Sequence, residues 1–245
     1  MRRGLAGAAV VLAAAALAAC PKAPVAAAAG STRAPRGDAV WFADPAAAGE
    51  PGIEDSLSRI GAVAVFLPAG EIAFEGGRWT LRPDAPPPRR LERIPAVLVL
   101  RARPELTGAF GGEEGANAKA MAGAVAGALR PALDAAGPYG RVAGVHLDFP
   151  FTHAPGYAAF VRALRAALPT GTFISIALAA PPAADAERKT VQPLLEASDA
   201  LVAFAFRDGE TTSPQAIDAL KRPWWPAFGT AGHGVNDRTL RQVVH

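Results

Sequence analysis

Cysteine is nearly absent from this 245-residue chain, since Cys20 is the only one. No disulfide can therefore form within the chain. A glycine-rich phosphate loop is missing after the first predicted strand, which disfavours a dinucleotide-binding sheet. No serine lies in a Gly-x-Ser-x-Gly context, so an acyl-transfer triad finds no support. We expect no cofactor.

A strong excess of charge is also missing. The formal charge of +3 includes Arg2 and Arg3, and without them 23 basic side chains face 22 acidic ones. The isoelectric point of about 9.4 rests on this near balance and is weak evidence for an acidic partner. We expect no nucleic acid partner.

The first 20 residues have the pattern of an export signal. Two arginines precede an uninterrupted apolar run, and small residues come just before Cys20. The segment "LAAC", Leu17 to Cys20, resembles a bacterial lipobox, which implies that Cys20 is lipidated and becomes the new N-terminus. The alternative is an ordinary secretory signal with a chance cysteine. We expect a lipid-anchored protein of the cell envelope, and Pro21 favours the outer membrane because it is not the aspartate that retains some lipoproteins at the inner one.

The rest of the chain divides into a tether and one domain. Residues 21–37 are rich in alanine and proline without a periodic apolar pattern, as is typical of a flexible tether. Residues 38–245 are enough for one sizeable core and short for two domains.

Short apolar runs alternate with helical patterns through this domain. The seven predicted strands are 39–42, 62–68, 95–104, 142–149, 172–178, 200–206 and 224–229. Helical patterns are at 53–60, 116–136, 154–168, 191–198, 213–220 and 236–245. One connection departs from the pattern, because β-rich arms around Gly76-Gly77 predict a hairpin.

This alternation predicts the α/β class with a parallel sheet covered on both faces. Seven strands favour a TIM-type (β/α) barrel that lacks its last unit. Three explanations stay open for the missing strand: a truncated chain, a barrel that closes with seven strands, or an eighth strand that the pattern hides.

Function in such a barrel lies at the carboxyl ends of the strands. The polar residues that follow the predicted strands are Asp44, Glu71, Glu105, Asp148, Asp208, Glu210 and His233. Alternation along "GVHLDF" turns His146 and Asp148 toward the barrel interior, since Val145, Leu147 and Phe149 form an apolar set that packs on the helices. Burying a carboxylate costs free energy unless it is paired or reaches water, so Asp148 requires a structural or a functional reason.

The segment "GVHLDFPFTHAPGYAAFVRALRAALPTGTFISIALAA" resembles the centre of a family of exported bacterial proteins of unknown function, itself similar to TIM-barrel glycoside hydrolases. The resemblance is carried by an aspartate that closes an apolar strand, Tyr157 at the start of the next helix, "LRAALP" at its end, and Ser175 inside the following strand. It implies a barrel with a ligand site at its mouth.

The chitinase-like relatives of that family carry Asp-Gly-x-Asp-x-Asp-x-Glu on the fourth strand. Here Ala143 and His146 stand at the first two aspartates, Asp148 matches the third, and Pro150 stands at the glutamate that donates the proton. Where those relatives often have Met-x-Tyr-Asp on the sixth strand, this chain has Phe206 and Arg207 in place of tyrosine and aspartate. The resemblance therefore implies that the chitinase-type mechanism is lost.

Three functions stay open. The first is a lipid-anchored barrel that binds a glycan or another envelope ligand, with Asp148 as the polar anchor, His146 orienting it, and Trp224 or Trp225 stacking on a sugar ring. The second is an active glycoside hydrolase that pairs Asp148 with a second carboxylate. The candidates for that second carboxylate are Glu71, Glu105 and Asp208. The third is an envelope scaffold without a small-molecule site.

A metal site has little support. His146, Asp148 and His233 are residue types that bind zinc or iron, but they form no ligand-spaced cluster in the sequence. We expect no metal, and His233 stays a candidate ligand-binding residue.

Overall fold

The computed structural model describes residues 38–87, 89–110, 116–134, 136–149, 155–178, 185–204, 206–207, 210–211, 217–221 and 223–227. The predicted signal peptide, Cys20 and the tether lie outside these residues, as does the predicted helix at 236–245.

Ten strands are described. They are β1 (Ala39–Trp41), β2 (Ala64–Glu75), β3 (Arg78–Pro83), β4 (Leu91–Ala102), β5 (Gly140–Asp148), β6 (Phe173–Leu178), β7 (Ala200–Phe204), β8 (Phe206–Arg207), β9 (Glu210–Thr211) and β10 (Trp224–Ala227). The main sheet contains all of them except β8 and β9, which pair with each other and, within the described residues, with no other strand. Each of the seven predicted strands coincides with a strand of the main sheet, which confirms those seven predictions.

The helices lie in the connections between the strands. They are α1 (Pro45–Ala48), α2 (Ile53–Arg59), α3 (Ala116–Leu133), α4 (Pro155–Ala167) and α5 (Asp185–Ala197), with a 3-10 helix at Pro104–Phe110. The predicted helical turn at 191–198 is the last part of a longer helix that continues through Pro193. Among the described residues, none of the helices is both long and apolar enough to cross a membrane.

The strand order defines the architecture. The sheet runs β1-β2-β4-β5-β6-β7-β10, in the order of the chain, and all these neighbours pair in parallel. A doubly wound sheet reverses its order at a switch point, whereas a TIM barrel adds each strand beside the previous one. In the described part of the chain β1 and β10 are the two ends of this order and do not pair with each other. The fold is mixed α/β with an incomplete TIM-like barrel rather than a closed one.

The predicted hairpin is confirmed and changes the course of β2. Gly76 and Gly77 connect β2 to the antiparallel β3, and both have positive φ, 55° and 75°. Two such residues form the type I′ turn that suits a two-residue hairpin. The strand was expected to end at Pro68, but β2 passes an irregularity between Pro68 and Gly70 and continues to Glu75. Glu71 therefore lies within a strand and not in a loop.

The two faces of the sheet differ in what covers them. Val145 and Leu147 of β5 and Phe149 directly after it belong to the main core with the buried side chains of α3, α4 and α5, which confirms the predicted alternation. A smaller cluster forms on the opposite face, which we call the inner face. Its buried members are Ala64, Phe66, Val97, Val99 and Val202.

Helix α2 is fixed to the start of β4 by one carboxylate. Oε1 of Glu54 accepts the backbone N–H groups of Glu92, Arg93 and Ile94 at 3.0, 2.7 and 3.2 Å. Hydrogen bonds to a charged acceptor are stronger than neutral ones, so this contact sets where the helix docks.

The contact between β5 and β6 leaves no room for a side chain at Gly144. A Cβ there would collide with the carbonyl oxygen of Phe173 and lie 2.7 Å from the Phe173 Cβ. We expect Gly144→Ala to lower the free energy of unfolding by about 1–3 kcal/mol, because the two strands must separate. In the matched control, Gly127→Ala on α3, the added methyl meets nothing within 4 Å. The control should raise stability by roughly 0.5–1 kcal/mol because alanine favours the helix. Urea unfolding measures both, and equal stability of the two variants would contradict the expectation.

Candidate functional site

Three charged residues stand side by side on β2, β4 and β5, next to the carboxyl ends of β4 and β5. Glu71 pairs in register with Arg101, and Arg101 pairs in register with Asp148. Alternation from Val97 and Val99 places Arg101 on the inner face. Neighbouring strands are about 4.8 Å apart, so the α-carbons of Glu71 and Asp148 are roughly 10 Å apart. We call Glu71, Arg101 and Asp148 the charged row.

Ion pairs hold two members of the charged row in place. Arg101 donates from Nη2 to both carboxylate oxygens of Asp84, each at 2.8 Å. Arg103 donates from Nε to Oε1 of Glu71 at 2.7 Å. These groups are partly exposed, so the pairs add little stability. Their effect is to fix the position of charged groups that solvent can reach.

Asp148 closes β5, half-buried and close to Tyr157 of α4. The Tyr157 side chain is fully buried, and its hydroxyl is 3.5 Å from the backbone oxygen of Leu147. Burial first, and then the negative charge of Asp148, raise the pKa of Tyr157 well above its ordinary value. The phenol therefore stays protonated and donates its hydrogen bond to the backbone oxygen of Leu147, next to Asp148 in the chain.

His146 lies two residues before Asp148 on the same face and is fully buried. Its ring meets Trp41 and Phe66 edge to face, with ring centroids 5.2 and 5.4 Å apart. Nδ1 is 2.9 Å from Oγ of Ser175, and Nε2 has no hydrogen-bond partner among the described residues. The imidazole therefore does not bond to Asp148, and the expectation that His146 orients that carboxylate is wrong. The imidazole bonds to Ser175 because the parallel pairing of β5 with β6 places Ser175 directly beside His146.

The other predicted residues do not join this group within the described structure. Glu105 is exposed on the 3-10 helix after β4. Trp224 packs against the helix-facing core and donates from Nε1 to the Asp218 carboxylate at 2.8 Å. Trp225 pairs in register with Val202. Asp208, His233 and Pro150 lie outside the described residues.

No group of three or more metal-binding side chains is found among the residues that the structure describes. Asp44, another strand-end candidate, caps α1 by accepting the Ala46 N–H at 2.8 Å. Its carboxylate therefore has a structural role.

Sequence reasoning did not identify Arg101, Arg103 and Asp84. A signal for the first two was present, because "RAR" closes a strand with two arginines on the same face. No comparable signal marked Asp84, which follows a proline-terminated strand in a proline-rich loop and meets Arg101 only because β3 folds back along β2.

The buried imidazole should make stability depend on pH. Burial lowers the pKa of His146 to about 3 in the folded chain, against 6.5 ordinarily. Between these values the unfolded state binds more protons, so the free energy of unfolding falls as the pH is lowered from 6.5, by up to about 1.4 kcal/mol per pH unit. Replacing His146 with Phe removes this contribution.

Urea unfolding between about pH 5 and 6.5, where carboxylates titrate little, measures the difference. The wild-type slope should exceed the slope of His146→Phe. Parallel pH curves for the two proteins would show that the imidazole is not held neutral by the fold.

The sequence matches no protein-family model and no curated protein. Among solved structures, a chitinase from Bacteroides thetaiotaomicron is similar, with a TM-score of 0.48 and 12% identity over 74% of this chain and 59% of that chain. This chain thus matches less than two thirds of the length of that chitinase.

Proposed function

We propose that this chain is a lipid-anchored protein of the bacterial cell envelope that binds a glycan, or another hydroxyl-rich envelope ligand, at the charged row. Its organisation would be a signal peptide at 1–20, a tether at 21–37 and a barrel domain of the glycoside-hydrolase-related kind at 38–245. The observation that carries the proposal is the alignment of Glu71, Arg101 and Asp148 in one register.

The chemistry of the charged row suits a polyhydroxylated ligand. Arg101 supplies N–H donors, while Asp148 and Glu71 supply oxygen acceptors, and a sugar hydroxyl both donates and accepts. The ion pairs to Asp84 and Arg103 hold Arg101 and Glu71 before a ligand arrives. Less side-chain freedom is then lost on binding, which favours affinity.

Hydrolysis by Asp148 and Glu71 is the second candidate. Glycosidases place two carboxyl groups about 5–9.5 Å apart, and side chains on α-carbons roughly 10 Å apart can reach that range. However, Arg101 lies between the two strand positions, and Oε1 of Glu71 already accepts a hydrogen bond from Arg103. The geometry therefore favours binding over turnover.

Binding is tested with the full chain in detergent and two probes, a disaccharide-peptide fragment of peptidoglycan and a lipopolysaccharide core oligosaccharide. We expect at least one probe to bind, and Arg101→Met or Asp148→Asn to weaken it about tenfold or more, since each removes a charge-assisted hydrogen bond. Arg93→Met is the matched control, because Arg93 lies on the same strand but pairs with Asp55 at the opposite end. Calorimetric titration gives the affinities.

Absence of binding by both probes, or equal loss in the Arg93 control, would contradict the proposal. Release of reducing ends by the wild type, abolished in both Asp148→Asn and Glu71→Gln, would instead establish the hydrolase.

The lipid anchor has its own test. In bacterial cells labelled with radioactive palmitate, the wild-type chain should carry label and sediment with the membranes. Cys20→Ser should lose the label, because it removes the only thiol of the chain. Detection of label in Cys20→Ser, or of unlabelled wild-type protein in the soluble fraction, would contradict the anchor.

A further inference from the structure

A buried polar atom on the inner face has no partner. Nε2 of His146 makes no hydrogen bond among the described residues, although the side chain has 0% exposure. Nearly all buried polar atoms in native proteins are hydrogen-bonded, because leaving one unsatisfied lowers stability. The charged row does not provide a hydrogen-bond partner for this nitrogen.

Ser175 accounts for the other ring nitrogen. Its hydroxyl lies 2.9 Å from Nδ1 and can either donate to it or accept from it. In the first case Nε2 carries the ring proton, and in the second case Nε2 carries a lone pair. In both cases a neutral imidazole presents one hydrogen-bonding atom at Nε2.

The surroundings of the ring are apolar. Trp41 and Phe66 stack on each other with centroids 5.3 Å apart, and both meet the imidazole edge to face. Val99 is next to His146 in register and is also buried. An ion here would lose its hydration without gaining a counter-charge, whereas a hydroxyl or amide needs only one hydrogen bond.

The imidazole of His146 lies on the same face of the sheet as the charged row. His146 lies two residues before Asp148, about 6–7 Å farther down the same face. Asp148 and Trp41 are only partly buried, so solvent reaches the residues above and beside the ring. A ligand held at the charged row is therefore about one sugar ring from the position of His146 along the strand.

We propose that Nε2 of His146 hydrogen-bonds an uncharged polar group of the ligand, a hydroxyl or an amide, that enters the inner face below the charged row. This inference rests on the proposed function and assigns different groups of the ligand to different residues. Arg101 recognises anionic or hydroxyl groups at the entrance, and His146 selects a neutral group at the base. Ser175 is a positioning residue, because it sets which hydrogen-bonding role Nε2 has.

The test uses the full chain, with 15N-labelled histidine, and the disaccharide-peptide fragment of peptidoglycan, which carries hydroxyl, amide and carboxylate groups. The chain has four histidines, so the His146→Phe spectrum identifies the His146 signals. We expect a neutral tautomer in the free protein and a shift of the Nε2 signal when the fragment binds. His146→Phe should weaken binding about three- to tenfold, since it removes the hydrogen bond at Nε2 and keeps an aromatic ring in its place.

Ser175→Ala should change the tautomer signature of His146 and weaken binding. Ser198→Ala is its matched control, because Ser198 is also buried but donates to the backbone oxygen of Leu195 at the end of α5 and does not contact His146. This control should change neither the signature nor the affinity.

The outcomes separate the two proposals. If the fragment binds in an Arg101-dependent way but the Nε2 signal does not move, Nε2 contacts at most a buried water, and this inference is overturned while the proposed function stands. If neither this fragment nor the core oligosaccharide binds the wild type, both fail. Should His146→Phe not fold, the Ser175→Ala spectrum identifies the His146 signals instead, because the Ser175 hydroxyl lies 2.9 Å from the imidazole, and the wild-type Nε2 signal then decides.

Discussion

The parallel register of β4 with β2 and β5 is the constraint on which the candidate site depends. It places Glu71, Arg101 and Asp148 in one row and their apolar neighbours along each strand, Ile72, Leu100 and Leu147, in the main core. A slip of one residue would exchange the two faces of a strand, burying Arg101 among the helices and turning Leu100 to the inner face. The apolar core therefore holds the charged groups in their positions more firmly than their own ion pairs do.

The inner face changes character along the strands. The stacked rings of Trp41 and Phe66 lie next to His146, which contacts Ser175. The charged row lies farther along the strands, toward the carboxyl ends of β4 and β5. Burial keeps the imidazole neutral by lowering its pKa to about 3, so charge is confined to the partly exposed end. In our proposals, the buried part of the inner face therefore recognises neutral groups and the partly exposed charged row recognises charged ones.

The hairpin contributes to the site indirectly. Because β2 continues past Pro68, Glu71 joins the row as a strand residue, and β3 returns the chain so that Asp84 reaches Arg101. The type I′ turn at Gly76-Gly77 enforces this return. A feature recognised in the sequence as a mere interruption of the alternation thus supplies one partner of the central arginine.

The sequence by itself determined the seven strands, the hairpin and the face on which His146 and Asp148 lie, because these follow from local periodicity and turn chemistry. It did not determine what these residues contact. His146 bonds to Ser175 and not to Asp148, Arg101 stands between two carboxylates, and Trp224 packs toward the helices. Each of these contacts joins residues far apart in the chain, and only the register between strands brings such residues together.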